Sequence, residues 1–195
     1  ELLLTFARTK IAAGAEEEGL GVLRQLLNQD SRRGQMIAAF AWDLAPSSPD
    51  VSLRVAEVVA ETALIEADWA AAAGGFQQFA ARVPHHVPAL MRLVEICFDG
   101  GLDAALYAAQ WQLADAYLAA GAAAEARVIA EDLTARNPGE PAHVEQLRRA
   151  LTLLGEADPD AVIAELLQRD EPDPDARPEL VDGSIVLTVD PEPAE

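Results

Sequence analysis

The chain has 195 residues, 51% hydrophobic but only 5% aromatic, and its 33 acidic and 14 basic residues leave a net charge of −19. This acidity argues against nucleic-acid binding, because displacing phosphate counterions requires clustered Lys and Arg. The single cysteine, Cys97, excludes an internal disulfide and a Cys-based metal cluster. The sequence contains no run of about 18 apolar residues, so no membrane span is predicted.

Apolar residues recur at helical spacing along nearly the whole chain before Arg169. In residues 102–120, for example, Leu106, Leu113 and Tyr117 fall on one helical face. Glycine and proline interrupt this pattern, and the short loops between segments favour antiparallel neighbours. The fold class is therefore predicted to be all-α. The ten predicted helices cover residues 2–13, 16–29, 33–45, 51–66, 69–82, 87–98, 102–120, 123–136, 141–154 and 159–169.

The last segment of the chain has a different composition. Residues 170–195 carry nine acidic residues and one arginine, and their prolines prevent a continued helix. The segment contains one β-prone apolar run, made of Ile185, Val186, Leu187, Thr188 and Val189. We therefore predict a helical domain over 1–169 and an acidic tail or linker over 170–195. The apolar run is expected to stay disordered, to dock on the helical groove, to add to the sheet edge of a partner, or to lead into a further domain.

Two blocks of the helical part, 31–83 and 84–137, repeat one plan. Each is closed by Ala-Arg-x-Pro, at Pro84 and at Pro138. The turn positions Gly14, Ala67 and Gly121 lie 53 and 54 residues apart. A fixed period of this kind indicates stacked supersecondary units in place of one closed core.

Residues 108–138 resemble a tetratricopeptide repeat (TPR), a helix-turn-helix of 34 residues. Positions of that pattern are occupied by Leu113, Ala114, Tyr117, Gly121, Ala126 and Pro138. Residues 59–84 match the same frame through Ala67, Trp69, Ala72, Phe76 and Pro84, and residues 6–30 match through Phe6, Gly14, Glu18, Leu23 and Leu26.

The resemblance implies a right-handed α-solenoid of about ten antiparallel helices. The observed period exceeds 34 residues by about 20, which is enough for one more helix and its turn. Residues 36–45 and 89–98 supply these extra helices. We therefore expect TPR-like units of three helices with a period of about 54 residues. The pattern is similar to that of bacterial TPR scaffold proteins, which implies a bacterial, cytoplasmic protein.

In TPR proteins, ligands usually lie against the first helix of each repeat. Carried over to this chain, that rule selects Trp111, Asp115 and Leu118, with Ala108 and Ala119, and in the second copy Arg54, Glu57 and Glu61, with Leu64 and Ile65. If these residues line one concave surface, it is acidic and favours a basic peptide. The structural alternatives are core packing for Trp111 and an ordinary solvated helix face for the carboxylates.

Other reactive residues have simpler interpretations. His85 and His86 follow Pro84 in a turn and lack the third ligand that a zinc site needs. Cys97 lies in an apolar helix and is predicted to be buried. Glycine-rich phosphate loops and activated-nucleophile motifs are absent from the sequence. We therefore predict no metal, no cofactor and no catalytic site.

The leading functional hypothesis is a non-catalytic scaffold or adaptor that binds a peptide or protein on its helical surface. The alternative is a regulatory or sensory helical-repeat domain attached to a transcriptional or signalling output module. Because residues 2–13 begin without a cap, we also expect the first helix to fray or to pair with another copy of the chain, which would give a homo-oligomer.

Overall fold

The computed structural model describes residues 2–169, and this part of the chain contains helices and no strand. A 3-10 turn, Ser31–Arg33, precedes the third helix. The ten predicted helices are confirmed, with ends that differ by two residues or fewer. They are α1 Leu2–Ala12, α2 Glu16–Gln29, α3 Gly34–Leu44, α4 Pro49–Ile65, α5 Trp69–Arg82, α6 Val87–Asp99, α7 Asp103–Ala119, α8 Ala123–Arg136, α9 Pro141–Leu153 and α10 Pro159–Arg169.

Side chains at the helix starts explain several boundaries. Asp68 Oδ1 accepts a hydrogen bond from the Ala71 N–H at 2.9 Å, and Asp158 Oδ1 accepts one from the Ala161 N–H at 3.0 Å. These carboxylates satisfy N–H groups that have no partner inside the helix. Proline at the first position of α4 and of α9 needs no such partner and fits the helical φ.

Five turns share one backbone geometry. At Gly121, for example, the N–H bonds to the Leu118 carbonyl at 3.1 Å, and the next N–H, of Ala122, bonds to the Tyr117 carbonyl at 2.9 Å. This pair of bonds ends a helix with one residue in the left-handed region. The residues at that position are Gly14, Ala67, Gly101, Gly121 and Gly155. Ala67, with φ of 57°, adopts a conformation that usually favours glycine.

The core is spread along the chain and has no single centre. Each helix packs against the next, except that α2 and α3 make little direct contact. The 3-10 turn contacts both of them, and α2 packs against α4. One buried cluster lies among α1–α4, a second among α4–α7, and a smaller one among α8–α10. Representative buried side chains are Leu23 and Ile37 in the first, Phe79 and Leu93 in the second, and Leu147 in the third. The arrangement is a stack in which neighbours stabilise neighbours.

Small residues allow the paired helices to approach closely. A Cβ atom at Gly19 would lie 2.9 Å from the Ala7 carbonyl oxygen, so α1 and α2 touch at their backbones. In the α7–α8 pair, Ala114 and Ala126 are fully buried. Glu18, which matched the repeat pattern in the sequence, is exposed. The small residue at this contact is its neighbour, Gly19.

The first helix presents apolar side chains to solvent. Leu2 is 88% exposed and Phe6 is 49% exposed, whereas Leu4, Ala7 and Ile11 are buried against the stack. The expected pairing of this helix with another copy stays a prediction.

In the described part of the chain, every helix is too short or too polar to cross a bilayer.

Candidate interaction surface

Two of the predicted binding residues on α4 are engaged with α2. Arg54 pairs with Glu16 at 2.5 Å and also with Glu17. Glu61 Oε2 accepts a hydrogen bond from Arg24 Nε at 3.1 Å. These ion pairs hold α4 beside α2, so a ligand would have to compete with them.

Glu57 lies between these two residues on α4 and has no ion pair or hydrogen bond within the described part of the chain. It lines a cleft of about 260 Å³ together with Ala60, Phe76 and Arg92. Burial raises the pKa of Glu57, and repulsion from Glu61 adds to the rise, although Arg92 opposes it. A half-buried carboxylate of this kind is more easily protonated than one in water.

The predicted residues on α7 separate into surface and core. Leu118 is only 6% exposed and packs with Ala126 and Ala150. Its side chain is therefore part of the core and is not available to a ligand. Trp111 is 40% exposed, which does not fit the alternative of full core packing. Large exposed aromatic side chains are common anchors in protein interfaces.

Trp111 stands between two clefts. One, of about 210 Å³, is lined by α5 and the α5–α6 turn and includes Gln77, Pro84 and His85. The other, of about 290 Å³, lies toward the α8–α9 turn and includes Tyr107 and His143. Both clefts share Trp111 and Gln112. An aromatic ridge between two depressions can be contacted by a partner from either side.

Asp115, one helical turn after Trp111, connects three elements. Its carboxylate lies 3.4 Å from Nδ1 of His85 and 3.3 Å from Nη1 of Arg149. His85 adopts φ of 63°, and this backbone conformation turns the chain at the edge of the first cleft. Asp115 thus supplies negative charge to the cleft while it also links α7 to α9.

The other histidines join helices to one another. His86 caps α6 by accepting the Ala89 N–H at 3.4 Å, and its Nε2 lies 3.1 Å from Asp50. His143 is 4% exposed, and its Nδ1 lies 2.9 Å from the Tyr107 hydroxyl. Among residues 2–169, no three His, Cys, Asp or Glu side chains converge as metal ligands would. Cys97 is buried as predicted, and burial raises the pKa of its thiol.

One part of the surface was missed in the sequence. A fourth cleft, of about 400 Å³, lies between the N-terminal halves of α5 and α7 and is lined by Ala70, Ala73, Gln77, Leu102, Asp103 and Ala105. Alanines at helical spacing look like core positions, and in the sequence nothing marks them as the wall of an opening. Gln77, an exposed polar residue on this alanine-rich face, was the available signal.

Comparison with known proteins adds no relative. No protein-family model matches the chain, and no curated protein matches it significantly. The fold and the surface thus define the class: an all-helical stack with an aromatic ridge flanked by clefts.

The apolar run Ile185, Val186, Leu187 and Val189, predicted as a docking segment, lies outside the described residues.

Proposed function

We propose that the protein is a non-catalytic interaction scaffold that binds a peptide or another protein on its helical surface. The observation that carries this proposal is Trp111, a large aromatic side chain that is 40% exposed between two clefts. Indole groups contribute strongly to binding when a partner removes their remaining exposed surface from water.

We further propose that the stack consists of TPR-related units of three helices in a right-handed arrangement, in a bacterial cytoplasmic protein. Equivalent turns at Gly14, Ala67 and Gly121 support the unit, since all three residues have positive φ. Buried small residues also recur at equivalent positions of the paired helices α1–α2, α4–α5 and α7–α8. They are Ala7 with Gly19, Ala60 with Ala72, and Ala114 with Ala126.

A crosslinking experiment tests the scaffold proposal. A photoreactive amino acid replaces Trp111 in the full chain, which is expressed in its source cells, and the products of irradiation are identified by mass spectrometry. We expect one or a few recurrent protein partners. The matched control carries the same amino acid at Val128, which is 68% exposed on α8 and lies outside both clefts. Equal products from both positions, or none from position 111, would contradict the proposal.

A further inference from the structure

The helices α5 and α7 form the walls of an open groove. They run in the same direction, because the chain reverses at the turn before α6 and again at the turn after it. Both pack against α6, but contact between α5 and α7 is at most marginal. The cleft between their N-terminal halves and the cleft beside Trp111 meet at Gln77, which lines both. The groove therefore follows the length of α5.

The length of the groove suits a short extended occupant. The 14 residues of α5 span about 21 Å at 1.5 Å per residue. The two clefts along this length hold about 400 and 210 Å³. An extended chain at about 3.3 Å per residue covers the length with about six residues.

The charge of the groove favours a cationic occupant. Asp103 lines one end and Asp115 the other, and no Lys or Arg is found among the described residues that line the two clefts. Asp115 also pairs with Arg149 of α9 and with His85. A cationic side chain at that end would have to compete with these pairs, which contribute little energy because they are exposed. The two aspartates are 12 positions apart on one helix, which is about 18 Å along its axis. At the Asp115 end, the exposed face of Trp111 can also stack on a guanidinium or ammonium group.

We propose that the α5–α7 groove binds an extended segment of about six residues from a partner protein, with small or apolar residues in the middle and a cationic side chain at each end. The alanine walls accommodate the apolar centre, and the two aspartates pair with the cations. This inference rests on the proposed scaffold function and specifies its partner. This groove differs from the ligand surface predicted from the family resemblance, which lies on the first helix of each repeat. In the groove, α5 contributes one complete wall.

The tail of the chain is the competing occupant. Its apolar run 185–189 has five residues, close to the length that the groove holds. However, residues 170–195 carry nine acidic residues and one arginine, so the aspartates of the groove repel this segment. A basic partner has no such penalty, and it is the occupant that charge complementarity selects.

The test uses NMR of the full 195-residue chain with a synthetic probe. The probe is the capped hexapeptide Arg-Ala-Val-Leu-Ala-Arg, whose end residues are about 17 Å apart when extended, and its counterpart carries Glu at both ends. We expect saturable shifts of amide signals in residues 70–85 and 102–115 with the first peptide only. Equal binding of the Glu peptide, or shifts confined to α4, would overturn the proposal.

A matched pair of variants locates the binding. Gln77→Lys places a positive charge in the middle of the groove, whereas Gln78→Lys places the same charge on an exposed neighbour that does not line it. We expect the first change to weaken the Arg peptide at least fivefold and the second to weaken it less than twofold. Similar effects of the two variants would place the peptide elsewhere and would sink the proposal.

Two further readouts separate the competing explanations. If Ile185→Asp with Leu187→Asp shifts the groove signals without any peptide, the tail is the occupant and the proposal is wrong; unchanged signals support it. If Gln77→Lys leaves the crosslinks from position 111 intact, the scaffold function stands while the groove proposal fails. If position 111 gives no crosslinks, the scaffold proposal itself fails, whatever the peptide does.

Discussion

Two helix junctions of the stack differ, although each joins a helix to the second helix after it along the chain. At the α2–α4 junction the helices pack directly, and Arg24 with Glu61 and Arg54 with Glu16 and Glu17 pair across it. At the α5–α7 junction the helices remain apart. In the described part of the chain, no ion pair joins a side chain of α5 to one of α7, and the pair of Asp115 with His85 comes from the α5–α6 turn. Alanines such as Ala70 and Ala104 form the walls of the junction.

The difference follows from side-chain length. Arg and Glu can span several ångströms between helices, whereas an alanine methyl group cannot. Exposed ion pairs contribute little energy individually, so the closed junction is stabilised mainly by packing, and the charges specify its alignment. The open junction retains exposed surface that a partner can cover. A stack of similar helices thus acquires an open groove where short side chains do not bridge two helices.

Removal of the aromatic group that anchors α5 should have the largest effect. Phe79 is fully buried, with its ring centroid 6.5 Å from that of Trp42 and 5.3 Å from that of His86. Phe79→Ala should lower the free energy of unfolding by about 3–5 kcal/mol, because a cavity remains. Urea denaturation measures the change. Gln78→Ala on the exposed side should change it by less than about 0.5 kcal/mol, and a loss below about 1 kcal/mol for Phe79→Ala would show that α5 is not anchored there.

A smaller effect is expected at the turn that connects α6 to α7. A Cβ atom at Gly100 would lie 2.5 Å from the Cβ of Trp69 and 3.0 Å from the Ile96 carbonyl oxygen. Gly100→Ala should therefore destabilise the protein by about 1–3 kcal/mol through overpacking. Trp69 begins α5, so the displacement should also shift groove signals in an NMR spectrum.

The control for this substitution lies inside α5. A Cβ atom at Gly75 would have no neighbour within 4 Å. Since alanine is the better helix former, Gly75→Ala should raise stability by up to about 1 kcal/mol. Thermal unfolding of both variants measures their stability relative to the unsubstituted protein. If Gly100→Ala left the stability unchanged, α5 and the turn would be less closely packed than described.

The closed junction should be only weakly sensitive to loss of its charges. Arg54→Met removes the pairs with Glu16 and Glu17 and should cost about 0.5–1 kcal/mol in low salt. The cost should shrink at 1 M salt, where charges are screened. Arg127→Met is the control, because Arg127 pairs with Glu131 within one helix. An equal salt dependence for both variants would mean that the α2–α4 pairs add nothing to the junction.

The smallest effect concerns the unpaired carboxyl group of α4. Burial raises the pKa of Glu57 above that of an exposed glutamate, so the ionised group destabilises the folded state at neutral pH. Glu57→Gln should stabilise the protein at pH 7 by less than about 1 kcal/mol, since solvent screens a half-exposed group. The gain should disappear as the pH falls below about 4, where Glu57 is protonated in both states.

Stability curves at pH 7 and pH 3.5 measure this difference. Glu131→Gln is the control, because Glu131 pairs with Arg127 on the same helix at 2.6 Å, away from Glu57. If Glu57→Gln had the same effect at both pH values, desolvation of the carboxylate would not be its cause.

Two residues of α7 that the family resemblance grouped together differ in exposure. The exposure of Trp111 and the burial of Leu118 both depend on how α7 is rotated against α8 and α9. The family resemblance placed both residues on the ligand side, and the structure separates them. The alanines of α5 could not be recognised as a groove wall, because burial of a small side chain depends on which helix lies opposite.

The sequence by itself determined the ten helices and their turns. Helical periodicity, proline starts such as Pro49 and left-handed turns such as Gly121 are local features that need no distant partner. The tertiary structure decided which helices meet and which stay apart. Direct packing, aligned by ion pairs, closed the α2–α4 junction, and short side chains left the α5–α7 groove open. These outcomes depend on contacts between residues about 30 or more positions apart, which the spacing of residues within one helix does not encode.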